Sequence, residues 1–421
     1  MKKIKYFILL VIVITSCSST PIPHNSDVIV PNDFFGFVHV VNSYTLEEIN
    51  HASNLGADWI LETFYWSRIE KEKGIFDFSR YDKWVEPAKI NGKKVVAVLA
   101  YSNDWISNKR YVSNNDIPHY LNFIEATVKH FKGKVDAWQI WNEPNWIFWN
   151  GNNKEYFELA RQAAAKIREV DPDAYIIGGG LLRTPKNFIR GMHKAGCFEN
   201  LNALSFHPYA VTPIGSMKLH DDFIKILNEL QFKGEIWITE IGYPTGGLYP
   251  HSVSMENLPS YVIKTITAAS AKGTRTLLWY ELYDKYNKGE EKNKAESEYF
   301  FGLTYPDFSW KNGAFAYKLC ADFLPGSKYM PELPQRNNIP SNIVIFCFVD
   351  GKSGLNTLIL WNDRNNSFNV KINLPDTFNM YNISTGESVN LPNETVLKVT
   401  NTPIFITWQG EKNVKLSRDI K

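Results

Sequence analysis

Two glutamates stand at the ends of apolar, aromatic-rich runs. One is Glu143 in Trp138-Gln139-Ile140-Trp141-Asn142-Glu143-Pro144-Asn145, the other Glu240 in Ile236-Trp237-Ile238-Thr239-Glu240-Ile241-Gly242-Tyr243-Pro244. Either alone could be a helix N-terminal acid or a buried salt-bridge partner. Together they suit acetal cleavage, in which one carboxyl protonates the departing sugar oxygen and the other, ionised, attacks or stabilises the anomeric carbon. Burial and mutual repulsion would drive their pKa values apart and so assign the roles. A separation of about 5–5.5 Å would mean retention of anomeric configuration, and about 6.5–9.5 Å inversion.

Other chemistries find little in the sequence. The nine histidines show no His-Glu-x-x-His spacing and the four cysteines no Cys-x-x-Cys, so neither a metal nor another cofactor is expected. Lys352-Ser353-Gly354 lacks the Gly-x-Ser-x-Gly elbow of a serine hydrolase. Gly178-Gly179-Gly180 is too short to cradle phosphates and reads as a close turn.

To share one cleft, the two glutamates need a scaffold that gathers strand ends. Eight runs rich in β-branched and aromatic residues predict strands at Phe35–Val40, Asp58–Glu62, Lys94–Ala100, Ala137–Trp141, Tyr175–Gly179, Ala203–Phe206, Glu235–Thr239 and Thr276–Trp279. Helical segments alternate with them, the first opened by the capping box Thr45-Leu46-Glu47-Glu48. Eight strand-then-helix units predict an α/β fold, a (β/α)8 TIM barrel over residues 33–324. An open doubly wound sheet would want a phosphate-binding glycine fingerprint after its first strand, and Phe35-Gly36-Phe37-Val38-His39 has none. In the barrel, Glu143 and Glu240 follow strands four and seven at the reactive face. Prolines at 325, 331, 334 and 340 mark a linker over 325–340. Alternating runs then predict a small C-terminal antiparallel β-sandwich at 341–410, and a polar tail at 411–421.

The chain opens with Lys2, Lys3 and Lys5, then an apolar run from Tyr6 to Ile14 that is too short to span a bilayer. Residues 1–16 read as a secretory signal, and the Pro-rich stretch 17–32 as a tether. With 46 basic against 44 acidic residues and no run of like charge, the footprint of a nucleic-acid binder is missing. Hydrophobic residues make up 44%, enough to bury a large core, and three cysteines besides Cys17 do not make a disulfide scaffold.

Ile14-Thr15-Ser16-Cys17 resembles the lipobox of bacterial lipoproteins, which implies lipid on Cys17, export and a membrane anchor at the outer membrane or cell surface. Trp141-Asn142-Glu143-Pro144 and Thr239-Glu240-Ile241-Gly242 resemble the acid/base and nucleophile signatures of clan A retaining glycoside hydrolases, including families 5 and 39. The resemblance implies Glu143 as general acid/base, Glu240 as nucleophile and Asn142 as the partner of the sugar 2-hydroxyl. His207-Pro208-Tyr209 is similar to the His-x-Tyr that orients the nucleophile, and Trp279 stands where an aromatic platform for the sugar ring is usual. One departure is Leu61, where related barrels often carry arginine; Arg68, a lysine or Tyr209 would have to meet the nucleophile's charge instead.

Aromatics past the strand ends supply faces for sugar rings. Of these, Trp146 and Trp105 are expected to touch sugar with Trp279, whereas Trp66 is read as the anchor of the turn before Ile69-Glu70. The expected protein is a monomeric polysaccharide hydrolase, with endo action on β-1,3-glucan or a related β-glucan favoured because no pocket-closing insertion is evident. The alternatives are an exo-acting β-xylosidase- or β-mannosidase-like enzyme, and a non-catalytic carbohydrate-binding lipoprotein.

Overall fold

The β-branched runs pair side by side and close on themselves. A computed structural model describes residues 28–39, 45–107, 110–248, 252–290 and 295–419 of the 421. The leader, Cys17 and most of the expected tether lie outside the described residues. Eight parallel strands form a closed barrel: β1 (Phe35–Val38), β2 (Trp59–Tyr65), β3 (Lys94–Ala100), β4 (Ala137–Ile140), β5 (Ile176–Leu182), β6 (Ala203–His207), β7 (Glu235–Ile241) and β8 (Thr276–Trp279). β8 hydrogen-bonds back to β1, with Phe37 opposite Trp279.

Strand alternation separates two cores. Val38, Trp59, Leu61, Val96, Val98, Ile177, Trp237 and Leu278 fill the barrel interior. Ile60, Phe64, Leu99, Trp138, Ile140, Phe206, Leu277 and Trp279 face outward into a second core shared with the helices. Those helices are α1 (Leu46–Asn54), α2 (Trp66–Ile69), α3 (Ser79–Ile90), α4 (Ile117–Phe131), α5 (Asn153–Val170), α6 (Lys186–Lys194), α7 (Pro213–Glu229), α8 (Leu258–Ala271) and α9 (Asn312–Phe323). The expected capping box starts α1: Thr45 Oγ1 accepts from Glu48 N–H, and the Glu48 carboxylate accepts from Thr45 N–H. A second, Asn152 with Glu155, starts α5.

The remaining ten strands are β9 (Lys328–Tyr329), β10 (Pro334–Asn337), β11 (Ile343–Val349), β12 (Leu355–Asn362), β13 (Phe368–Asn373), β14 (Phe378–Tyr381), β15 (Ser388–Leu391), β16 (Glu394–Val399), β17 (Ile404–Gln409) and β18 (Val414–Arg418). They form a six-stranded sheet, β15-β14-β17-β12-β11-β9, and a four-stranded sheet, β10-β18-β13-β16. Pairing is antiparallel except between β10 and β18.

Three boundaries differ from the sequence reading. Val28 and Val30, assigned to the tether, are buried, and Val30 N–H donates to Ser327 O at 2.9 Å. The proline-marked linker supplies β9 and β10, because proline is tolerated at strand starts and edges. The polar tail contains β18, whose Val414 and Leu416 alternate with Lys415 and Ser417 and turn inward. The sandwich docks on the barrel through Phe323, whose ring centroid is 5.1 Å from Tyr381 and 5.9 Å from Phe405. Buried Lys264 on α8 donates to Asn401 Oδ1 at 2.8 Å across the same contact.

The segment between β8 and α9 corrects another expectation. It folds back over the β7 loop, with Thr245 N–H donating to Phe300 O at 3.0 Å. A buried ion pair of 2.6 Å between Lys311 and Asp284 braces it. Phe301 then reaches Tyr280 (5.1 Å between centroids) and Tyr209 (6.3 Å). An insertion therefore does stand at the β7–β8 side of the reactive face. Its polar composition hid the role, which depends on a few aromatics at its end.

Candidate active site

Glu143 is the third residue beyond β4, and the backbone there is forced into an uncommon shape. Trp141 (φ 65°) and Glu143 (φ 45°) both adopt left-handed conformations, which cost a non-glycine residue about 1–3 kcal/mol each and persist only when the surroundings impose them. Here several bonds impose them. Glu143 N–H donates to Gly180 O at 2.9 Å, and Asn145 exchanges two 3.0 Å bonds with the Leu182 backbone. Gln139 Nε2 donates to Trp141 O at 3.0 Å while its Oε1 accepts from Ser205 Oγ at 3.2 Å. Gly180, at φ 61°, allows the close approach, since a Cβ there would lie 2.6 Å from Gln139 Nε2. The Gly178–Gly180 run, expected as a close turn, lies inside β5 and forms a β-bulge that holds the β4 loop.

Glu240 is the penultimate residue of β7, where the register with β8 shifts between Ile238 and Ile241. His207, at the end of β6, stands between the two glutamates. Its Nδ1 lies 2.8 Å from Glu143 Oε1 and 3.8 Å from Glu240 Oε2, and its Nε2 lies 3.2 Å from Thr239 Oγ1. One ligand atom from each of Glu143, His207 and Glu240 falls within 4.8 Å of the others. Two distant segments therefore bring a carboxylate oxygen of each glutamate to within 4.8 Å of the other.

The environment sets their protonation. Burial raises Glu143 to about 8, and the Glu298 carboxylate adds to the rise. Burial also raises Glu240, to about 7, with the Glu143 charge adding to it; the nearby His207 and a 2.8 Å hydrogen bond donated by Tyr209 pull it back. Burial lowers His207, which favours the neutral ring. Both carboxyls are therefore held above the ordinary glutamate range, and the Tyr209 hydroxyl supports the ionised form of Glu240.

This environment has a stability consequence. Glu143 holds its proton more tightly folded than unfolded, so the native state binds more protons between about pH 4.5 and 8. Stability therefore falls as pH rises through that window. Replacing the carboxyl with an amide removes the penalty. Glu143→Gln is expected to raise the melting temperature at pH 8.5 by an amount equivalent to a few kcal/mol, with little change at pH 4. Thermal denaturation at the two pH values checks this; an equal shift at both would contradict it.

Of the other expected site residues, Asn142 sits beside Gly180 and hydrogen-bonds Tyr101. Tyr209 bonds Glu240 directly and so takes the place that arginine was expected to leave empty, while the Arg68 guanidinium lies 4.1 Å from the Tyr65 ring centroid. His207 makes its short contact with Glu143 rather than with Glu240. Trp146 is 54% exposed on the β4 loop. Trp66 does anchor its turn, through a 2.6 Å bond to Glu70.

One expected sugar contact, Trp279, sits elsewhere, and Trp105 is half-buried in the loop after β3. Trp279 is fully buried in the outer core against Tyr243, because strand alternation points it away from the barrel axis. Tyr280, one residue on, packs on the interior cluster instead and is the ring at the mouth. Trp105 is tied to the β2 side, its Nε1 donating to Glu70 O at 3.0 Å and its ring packed edge-on to Trp66.

The structure adds polar groups that sequence reading missed. His39, just past β1, has Nδ1 3.4 Å from Glu62 Oε2. Glu281 is buried with Lys285 2.6 Å from its Oε2, and its Oε1 has no hydrogen-bond partner among the described residues. Tyr280 donates to Glu298 at 3.0 Å. A signal existed for His39 and Glu281, which lie within two residues of a strand's carboxyl end.

Eight parallel strands close into a barrel, and the two carboxyls converge at its carboxyl-terminal face. Solved glycoside hydrolases share this fold. The chain superposes on a family 39 glycoside hydrolase from the gut symbiont Bacteroides cellulosilyticus WH2 with a TM-score of 0.74 and 20% identity, covering 90% of this chain and 81% of that one. A monomeric β-xylosidase from Caulobacter crescentus CB15 gives 0.66 and 13%, covering 91% and 97%. In sequence, 121 residues are 31% identical to endo-1,4-beta-xylanase A of Phanerodontia chrysosporium. That match covers 26% of this chain and 29% of the relative, so the chain aligns with less than a third of that protein. No family model matches the chain.

Proposed function

We propose that this chain is a retaining β-glycoside hydrolase acting on β-linked xylose chains. The observation that carries the reading is the approach of Glu143 and Glu240 to within 4.8 Å, both raised by burial. Glu240 attacks the anomeric carbon as Glu143 protonates the departing oxygen. Glu143, now ionised, then takes a proton from water as that water displaces Glu240, which leaves the sugar with its original configuration. Tyr209 steadies the nucleophile's charge, and His207 fixes the Glu143 carboxyl. Asn142, Glu281, Lys285 and His39 offer polar partners to sugar hydroxyls. The leader-like residues 1–16 followed by Cys17 support lipid attachment of the exported chain to a membrane.

Xylan replaces β-glucan as the substrate class because the relatives and neighbours named above include a xylanase and a β-xylosidase. Exo action gains support from the insertion after β8, whose Phe301 and Glu298 narrow one end of the face. Incubation with β-1,4-xylohexaose is expected to release xylose from the first time points, with retained anomeric configuration by proton NMR. A ladder of intermediate oligomers would indicate endo action. Turnover of β-1,3-glucan alone would refute the substrate class.

A further inference from the structure

Arg183 stands at the reactive face directly beyond β5, and hydrolysis itself gives its side chain no task. Its backbone is left-handed, at φ 57°, a conformation that a non-glycine residue keeps only when its surroundings impose it. They do so from three sides. Leu182, before it, exchanges two 3.0 Å bonds with the Asn145 side chain on the β4 loop. Arg183 N–H donates to His207 O at 2.9 Å, and Thr184 Oγ1, after it, donates to Leu219 O on α7 at 2.7 Å. The β5 bulge prepares this turn. Ile177 faces the barrel interior whereas Leu181 faces the outer core, so regular alternation has slipped by one residue.

The guanidinium is anchored as well as the backbone. Nε donates to Tyr209 O at 3.1 Å, which leaves the two Nη nitrogens as a fork with no acceptor among the described residues. The side chain is exposed. The next basic residues along the chain differ from it: Lys186 pairs with Asp222 at 2.7 Å and Arg190 with Glu229 at 3.0 Å. Nor does Arg183 set the protonation of the acid, since burial and Glu298 govern Glu143. An arginine fork held in place suits a carboxylate, whose two oxygens accept two parallel N–H bonds. A proton donor must face the departing oxygen, so the surface beside Glu143 borders the departing group. Asn145, two residues beyond Glu143, ties the Arg183 segment to that side.

We propose that Arg183 is a charge selector on the departing side, and that its ligand is the carboxylate of an acidic sugar carried by the leaving group. This deepens the glycosidase reading above and rests on it. Because the fork is anchored before binding, the carboxylate meets donors with little freedom left to lose. Chains bearing uronic-acid branches are then preferred over neutral ones, and salt weakens the preference.

The test compares two substrates that differ only in charge: β-1,4-xylotriose with a glucuronosyl branch on its central xylose, and the same compound with the branch carboxyl reduced to the alcohol. The ratio of kcat/KM for the acidic substrate to that for the reduced one is expected to be about ten in wild type at low ionic strength. In about 1 M salt it should approach one. Arg183→Asn and Arg183→Asp both introduce a residue type that tolerates the left-handed backbone. The ratio is expected to fall to about one in the first and below one in the second. A wild-type ratio of one would overturn the selector. So would equal losses on both substrates in Arg183→Asn, the mark of a bond that merely steadies Tyr209. Failure of the underlying glycosidase reading would look different, since wild type itself would hydrolyse neither substrate. Calorimetric titration of Glu240→Gln gives an independent reading: the acidic substrate should bind about tenfold tighter than the reduced one, and equal affinities would count against Arg183.

Discussion

Under the mechanism proposed above, Glu240→Gln is expected to lower hydrolysis of xylo-oligosaccharides by about 10⁴-fold or more while leaving their binding within a few-fold of wild type. The amide keeps the shape of the carboxyl and can still accept the Tyr209 hydroxyl that donates to Glu240 at 2.8 Å, so the site stays assembled. It cannot form the glycosyl ester on which double displacement depends. Steady-state kinetics measure the first quantity and calorimetric titration the second. Residual turnover above a few per cent would show that Glu240 is not the nucleophile. Loss of binding together with turnover would mean that the substitution had collapsed the pocket.

The second large effect belongs to Glu143, and it depends on what departs. Removing a general acid costs about 10²–10⁴-fold when the leaving oxygen needs protonation. Glu143→Ala is therefore expected to lose about that much on xylobiose and far less on an aryl xyloside whose phenolate leaves unaided. The pH profile carries the same signature. The proposed mechanism needs Glu240 ionised and Glu143 protonated. With Glu240 raised to about 7 and Glu143 to about 8, kcat/KM should rise with pH up to a narrow maximum between them and fall beyond it. The two limbs belong to the coupled pair. In Glu143→Gln the alkaline limb should vanish, since no proton is left to lose. A retained alkaline limb, or equal losses on both leaving groups, would assign the acid to another residue.

The barrel was legible because each strand carries its own instructions. Lys94–Ala100 and Thr276–Trp279 were read to the residue, since a buried parallel strand is a bounded apolar run. Thr45 and Glu48 declared the start of α1 through a purely local bond pair. The edges of the second domain were not legible. β9 is two residues long, and β18 exists through pairing with β10 and β13, partners far away in sequence. Their own composition reads as linker and tail.

In the site, short spacings fixed identity and left direction open. Asn142-Glu143-Pro144 and Thr239-Glu240 marked the two carboxyls, and alternate strand ends placed them on one face. Which neighbouring aromatic looks inward is a matter of strand phase: Trp279 turns into the outer core and Tyr280 into the mouth. The sequence by itself determined the residue types, their order and the barrel that gathers them, because these follow from local pattern and hydrophobic period. Only the tertiary structure decided that His207 stands beside Glu143, that Tyr209 supports Glu240, and that a distant insertion covers one side. Those outcomes rest on contacts between segments tens of residues apart, and on burial that raises a carboxyl's pKa only after the whole barrel has closed around it.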